Sequence, residues 1–193
     1  YLGPAIATGK PWQSRVMIAN TAAVCEAVER FDIDVGLIEG PCHLPSLDVQ
    51  PWVRDELVLV AAPDSEAGRL IQGRHRLGLR ALREQLWLLR EPGSGTREVT
   101  DQWLLPSLHR YRRSIEMDSS EAIKRVVAQG VGIACLSAWA VSDFMSSGRL
   151  LRLATTLPPL FRQCHLVTHP SRQRTAALDA FIDEALRHGA TMR

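Results

Sequence analysis

The chain has 193 residues, of which 46% are hydrophobic and 23% charged, and a formal net charge of +2. That length and composition suit one large globular domain or two small lobes with a real core. So small a charge gives no argument for nucleic-acid binding by this chain alone, and no apolar run approaches the roughly 20 residues of a membrane-spanning helix.

Arginine carries nearly all the positive charge, because the only lysines are Lys10 and Lys124. The opening YLGPAIATGKP has neither the basic start nor the apolar centre of a signal peptide, and no initiating Met. It reads as the inside of a helix, so the chain is taken as a fragment with its upstream part missing. Residues 15–19 (RVMIA) suit a strand, with apolar and β-branched residues in a short run. Asn20 and Thr21 are candidate N-caps for a helix over AAVCEAVERF. The run VGLIEG then reads as a second strand, and a crossover of this length normally joins parallel strands.

ELVLVAA (56–62) is a further strand, ended by Pro63. The polar stretch 64–85, with Gly68, Gly73 and Gly78, reads as a connection plus a short helix, and as a lobe boundary. Its arginines (69, 74, 76, 80 and 83) lack interleaved aromatics, so they are assigned to a solvated surface. LWLLR (86–90) is a strand, PGSGT a loop, and REVTDQWLLPSL a helix that Pro106 should end or kink. SIEM (114–117) is a strand. The helix after it has capping-box spacing at Asp118 and Glu121, an apolar face of Ala122, Ile123, Val126 and Val127, and Gly130 as its terminator. VGIACLS (131–137) and QCHLVTHP (163–170) are strands. Each precedes a helix, the last one placing Leu178, Phe181, Ile182, Ala185 and Leu186 on one face.

The four cysteines (25, 42, 135 and 164) form no CxxC pair and read as buried thiols. Cys42-His43 and Cys164-His165 fall short of the spacing of zinc sites, so no metal is assigned. Three helices open with small polar residues just after a strand: near Asn20-Thr21, Ser94-Gly95-Thr96 and Ser119-Ser120. A helix N-terminus offers unpaired N–H groups and the positive end of the dipole, which favour an anion or carboxylate. In an open α/β sheet such turns sit at the carboxyl ends of strands, where ligands bind. PGSGT lacks the GK[ST] of a Walker loop and is not GxGxxG. Glu39 is the one carboxylate noted at a strand's carboxyl end, and no partner for it as a general base is evident. With no recognisable triad, GxSxG or HExxH, the chain reads as binding without catalysis.

In order along the chain, DIDVGLIEGP (32–41), DELVLVAAPDS (55–65), LREPGSGTRE (89–98), SSEAIKRVVAQGVGIACLS (119–137), GRLLRL (148–153) and the closing strand with AALDAFIDEAL resemble the effector-binding domain of LysR-type bacterial transcriptional regulators. The resemblance implies an α/β, periplasmic-binding-protein-like fold of type 2: two Rossmann-like lobes joined by two crossover strands. Lobe I would hold 1–62 plus 167–193, and lobe II 63–166. It implies a small effector, often an anion or carboxylate, bound between the lobes at Asn20, Thr21, Glu39, Ser94, Gly95, Thr96, Ser119 and Ser120. It further implies a cytoplasmic homodimer or homotetramer with no cofactor, touching DNA only through an N-terminal winged helix-turn-helix domain that this chain lacks. The family's first strand and the polar turn after it are expected to be missing too. A solute-binding component of an ABC transporter shares the fold and is the alternative. A catalytic domain on the same scaffold would need an acid–base pair, and only Glu39 offers itself.

Overall fold

A computed structural model describes residues 14–72 and 76–191. The helical opening read at the start of the chain lies outside the described residues, as do Gly73, Arg74 and His75. The chain divides into two units, Tyr1–Arg54 with Gln163–Arg193 and Asp55–Arg162.

In the first unit, α1 (Thr21–Glu29) starts where Asn20 accepts a hydrogen bond from the Ala23 N–H at 3.0 Å. Strand β1 (Gly36–Ile38) pairs antiparallel with β7 (Leu160–Thr168), Leu37 opposite Leu166. Neighbouring side chains on a strand point to opposite faces. Ile38 and Val167 therefore pack with Val24, Cys25 and Val28 of α1, while Leu37 and Leu166 pack with Leu178, Ile182 and Ala185 of the C-terminal helix α7 (Ala176–Thr191). Trp52 fixes α7 by donating from Nε1 to the Ala185 carbonyl at 2.7 Å.

Residues 15–19 form no strand, and the expected parallel strand–helix–strand unit is absent among the described residues. β-Propensity marks residues that fit a pleated, half-buried surface, but a strand exists only with a ladder partner. Here Val16 and Met17 are exposed, and Ile18 is 95% exposed.

In the second unit, β4 (Arg113–Met117), β3 (Leu86–Arg90) and β5 (Ile133–Ser137) are parallel neighbours in that order. β2 (Asp48–Ala61) continues this sheet antiparallel to β5 and to the short β6 (Leu151–Arg152). Alternation again makes two cores. Leu57, Leu59, Trp87, Leu89 and Ile133 face Ala67 of α2 (Glu66–Gln72), Leu82 of α3 (Leu79–Glu84) and Leu104 of α4 (Gly95–Leu108). Val58, Val60, Leu88, Ala134 and Leu136 face Ile123 and Val127 of α5 (Ser120–Ala128) and Val141 and Phe144 of α6 (Ala138–Ser146).

Four local expectations change. β2 begins at Asp48 rather than residue 56, because its first half is exposed and contains Pro51, a pattern without the apolar signal of a strand. The stretch 64–85 holds two helices instead of one. Pro106 lies inside α4, which runs on to Leu108; so close to the end, the missing N–H removes little of the helix ladder. The cap of α5 is Ser119, which accepts from the Ala122 N–H at 3.2 Å, so Asp118 does not open a capping box. Glu121 instead turns to Lys124 and Arg125. Gly130 does terminate α5, at φ +82°, a conformation that suits glycine. No disulfide joins the four cysteines.

Candidate functional site

The three parallel strands of the second unit each hand over to a helix at their carboxyl ends: β3 to α4, β4 to α5, and β5 to α6. Each helix is capped by a serine. Ser94 accepts from the Arg97 N–H at 3.5 Å, Ser119 from Ala122 at 3.2 Å, and Ser137 from Ala140 at 3.4 Å. Parallel pairing thus sets three helix N-termini along one edge of the second unit: the two expected there, at Ser94 and Ser119, and a third at Ser137. Ser137 was missed because the residues after it are apolar; its signal was a serine between a buried strand and a helical run.

The REPGSGTRE segment is rigidly built. Arg90 forms a two-point ion pair with Glu91 (Nε–Oε2 2.7 Å, Nη2–Oε1 2.9 Å) and donates from Nη1 to Ser120 Oγ at 2.8 Å. Gly93, at φ +87°, makes the turn. Arg97 reaches back to the Arg90 carbonyl at 2.7 Å and pairs with Asp101, whose other oxygen accepts from the Tyr111 hydroxyl at 2.7 Å. Burial, reinforced by Asp101, pushes the Tyr111 phenol well above its usual range. The charged residues of this loop therefore hold the loop itself and fix the β3–α4 turn beside the α5 cap.

Beneath this edge lies a pair the sequence reading did not find. Asp55 and Arg162 have side chains only 1% and 2% exposed. Arg162 Nε and Nη2 both contact Asp55 Oδ2, at 2.8 and 2.6 Å, and Nη1 donates to Thr96 Oγ1 at 2.7 Å. The remaining carboxylate oxygen, Asp55 Oδ1, accepts from Ser137 Oγ at 3.0 Å. Each charge sits at an inward position of an alternating strand, which is the signal that a buried partner was required.

The structure brings Ser94, Gly95, Thr96, Ser119 and Ser120 to one edge of the second unit. Ser94 and Thr96 are 3% and 4% exposed, held by the cap and by Arg162. Asn20, Thr21 and Glu39 belong to the first unit: Asn20 caps α1, Thr21 is its buried first residue, and Glu39 is exposed just after β1. Among the described residues no cluster of three or more His, Cys, Asp or Glu is placed to hold a metal ion, and no helix is long and apolar enough to cross a membrane.

Residues 12–190 match the family model of the LysR substrate binding domain. The chain is 40% identical over 166 residues to the "Uncharacterized HTH-type transcriptional regulator YeiE" of Escherichia coli, covering 86% of this chain and 55% of that protein. It is 35% identical over 122 residues to the HTH-type transcriptional regulator CysL of Bacillus subtilis, covering 63% and 40%. The chain thus spans about half the length of these curated relatives, which are named as transcription regulators and not as transporter components or enzymes. Among solved structures, the Synechocystis CcmR regulatory domain in complex with 2-PG superposes with a TM-score of 0.80 at 23% identity, covering 93% of this chain and 85% of that one. The effector-binding domain of QuiR in complex with shikimate gives 0.74 at 18% identity, covering 89% and 79%. The fold is that of these regulatory domains, the α/β periplasmic-binding-protein-like class of type 2.

Proposed function

Because this chain belongs to the LysR substrate binding domain family, we propose that it is the sensing part of a LysR-type transcription regulator and that its effector is a small anion or carboxylate. The observation that carries the ligand chemistry is the row of serine-capped helix N-termini at the carboxyl ends of β4, β3 and β5. Three positive dipole ends at one edge favour negative charge. Ser94, Gly95, Thr96, Ser119 and Ser120 are the contact residues in the second unit. In the first unit Asn20, Thr21 and Glu39 are proposed as contacts from the family resemblance, the α1 N-terminus offering the same chemistry.

The effector acts by population shift: it favours one arrangement of the domain to the extent that it binds that arrangement better. In the whole protein this alters how subunits of a homodimer or homotetramer present their DNA-binding domains, in the cytoplasm. The two lobes of such a sensor would follow the division 1–62 plus 167–193 and 63–166.

Thermal unfolding against sulfate, sulfite, phosphate and organic acids tests the reading, on the native chain and on Ser94→Ala/Ser119→Ala. A ligand at a hundred times its Kd adds about 2.7 kcal/mol of stability. A shift with one compound, lost in the double variant, supports the site. A shift of equal size in both proteins places the ligand elsewhere and defeats it.

A further inference from the structure

The hydroxyls around the buried ion pair are polarised in opposite directions. Ser137 Oγ donates to Asp55 Oδ1 at 3.0 Å, so its proton points at the carboxylate. Thr96 Oγ1 receives Arg162 Nη1 at 2.7 Å. A guanidinium has donors and no acceptor, so the Thr96 oxygen takes that hydrogen bond and its own proton points away from the pair. Arg162 cannot readily turn to release Thr96, because both of its remaining nitrogens are bound to Asp55 Oδ2 in a pair excluded from water.

The surroundings repeat the pattern. Ser94, Ser119 and Ser120 each accept through Oγ, from Arg97 N, Ala122 N and Arg90 Nη1. Thr100 lies one turn along the same face of α4 as Thr96 and is 3% exposed, with its hydroxyl beside the buried Cys135 thiol. Two carboxylates lie in the segments that join β3 to α4 and β4 to α5. Glu91 is engaged by Arg90, and Asp118 is exposed ahead of the Ser119 cap.

We infer that Arg162, fixed by Asp55, is a positioning residue that sets the Thr96 hydroxyl as a donor, so that the effector atom at Thr96 is a proton-free acceptor oxygen of an oxyanion or carboxylate. The inference rests on the effector site proposed above and adds the ligand's hydrogen-bonding class. A ligand that brings a proton to Thr96 meets a hydroxyl that is already oriented to donate.

Two matched pairs of probes test this by titration calorimetry on the whole chain: sulfate against phosphate, which keeps a proton at neutral pH, and succinate against succinamate, whose amide nitrogen is a donor. The proteins are wild type, Thr96→Ser, Thr96→Val and the paired neutral variant Asp55→Asn/Arg162→Met, each checked for fold by circular dichroism. Wild type and Thr96→Ser should prefer the proton-free member of whichever pair binds by tenfold or more. Thr96→Val and the paired variant should bring that ratio towards one, whereas Ser94→Ala should weaken both members alike. Equal binding of both members by wild type, or a ratio unchanged in the paired variant, overturns the role of Arg162 and leaves the effector site standing. If no member of either pair binds wild type, the anion site and this inference fall together.

Discussion

Asp55 and Arg162 stand 107 positions apart in the chain, and their side chains meet at 2.6 Å with almost no exposure to solvent. Asp55 lies on β2 and Arg162 on β7, the two strands through which the chain passes between its units. Attraction between the two charges must offset the loss of hydration of both. Removing one partner is therefore far more damaging than removing both.

Asp55→Ala should lower stability by about 3–5 kcal/mol, since it leaves a buried guanidinium without its counter-charge. Asp55→Asn/Arg162→Met should cost much less than the sum of its two single substitutions. Urea unfolding of the four proteins gives the coupling energy directly. Additive costs would mean that the pair contributes no interaction of its own.

The three serine caps should each be worth about 1 kcal/mol, measured as the stability lost in Ser94→Ala, Ser119→Ala and Ser137→Ala. Ser137→Ala should cost the most, because it also removes the hydroxyl that satisfies Asp55 Oδ1. Equal losses at all three positions would contradict that second role.

Gly132 lies just before β5, where an added Cβ would run into the Leu86 carbonyl oxygen at the start of β3. Gly132→Ala should therefore destabilise by about 1–3 kcal/mol through overpacking that only a backbone shift can relieve. The comparison is Gly78→Ala, where an added Cβ meets nothing within 4 Å. Its unfolding midpoint should hardly move.

The protein should lose stability on the alkaline side. Burial pushes the Cys25 and Cys135 thiols from 9.0 up to about 12. Burial also opposes charge on Lys124, but Glu121 and Asp143 outweigh it and hold that amine above its usual range. A thiol that stays protonated in the folded chain ionises first in the unfolded one. The unfolded state then binds fewer protons, and stability falls from about pH 9 towards 12. The amine acts in the same direction, since its favourable charge is lost as pH rises. Urea midpoints at pH 7.5 and 10.5 should differ clearly, and Cys135→Ala should narrow the gap. An equal gap in the variant would remove Cys135 from the account.

Most elements of the second unit were legible along the chain, because each is specified by neighbours in sequence. LWLLR and VGIACLS are apolar runs, Ser94 and Ser119 are followed by helical spacing, and Gly130 supplies the positive φ that ends α5. The same local chemistry marked Asn20 as a cap and gave α7 its buried face of Leu178, Ile182 and Ala185. These features follow from side-chain periodicity and backbone capping, which act over a few residues.

Contacts between distant residues were decided only by tertiary structure. The run RVMIA has the residues of a strand, yet nothing in the described residues pairs with it, so Ile18 stays exposed. Pro51 obscured the first half of β2, whose place in the fold is given by Trp52 reaching Ala185 across 133 positions. Thr96 could be named from its loop, but not the direction of its proton. That depends on Arg162, brought beneath α4 by β7 and fixed there by Asp55, and a hydrogen bond is directional while sequence spacing is not.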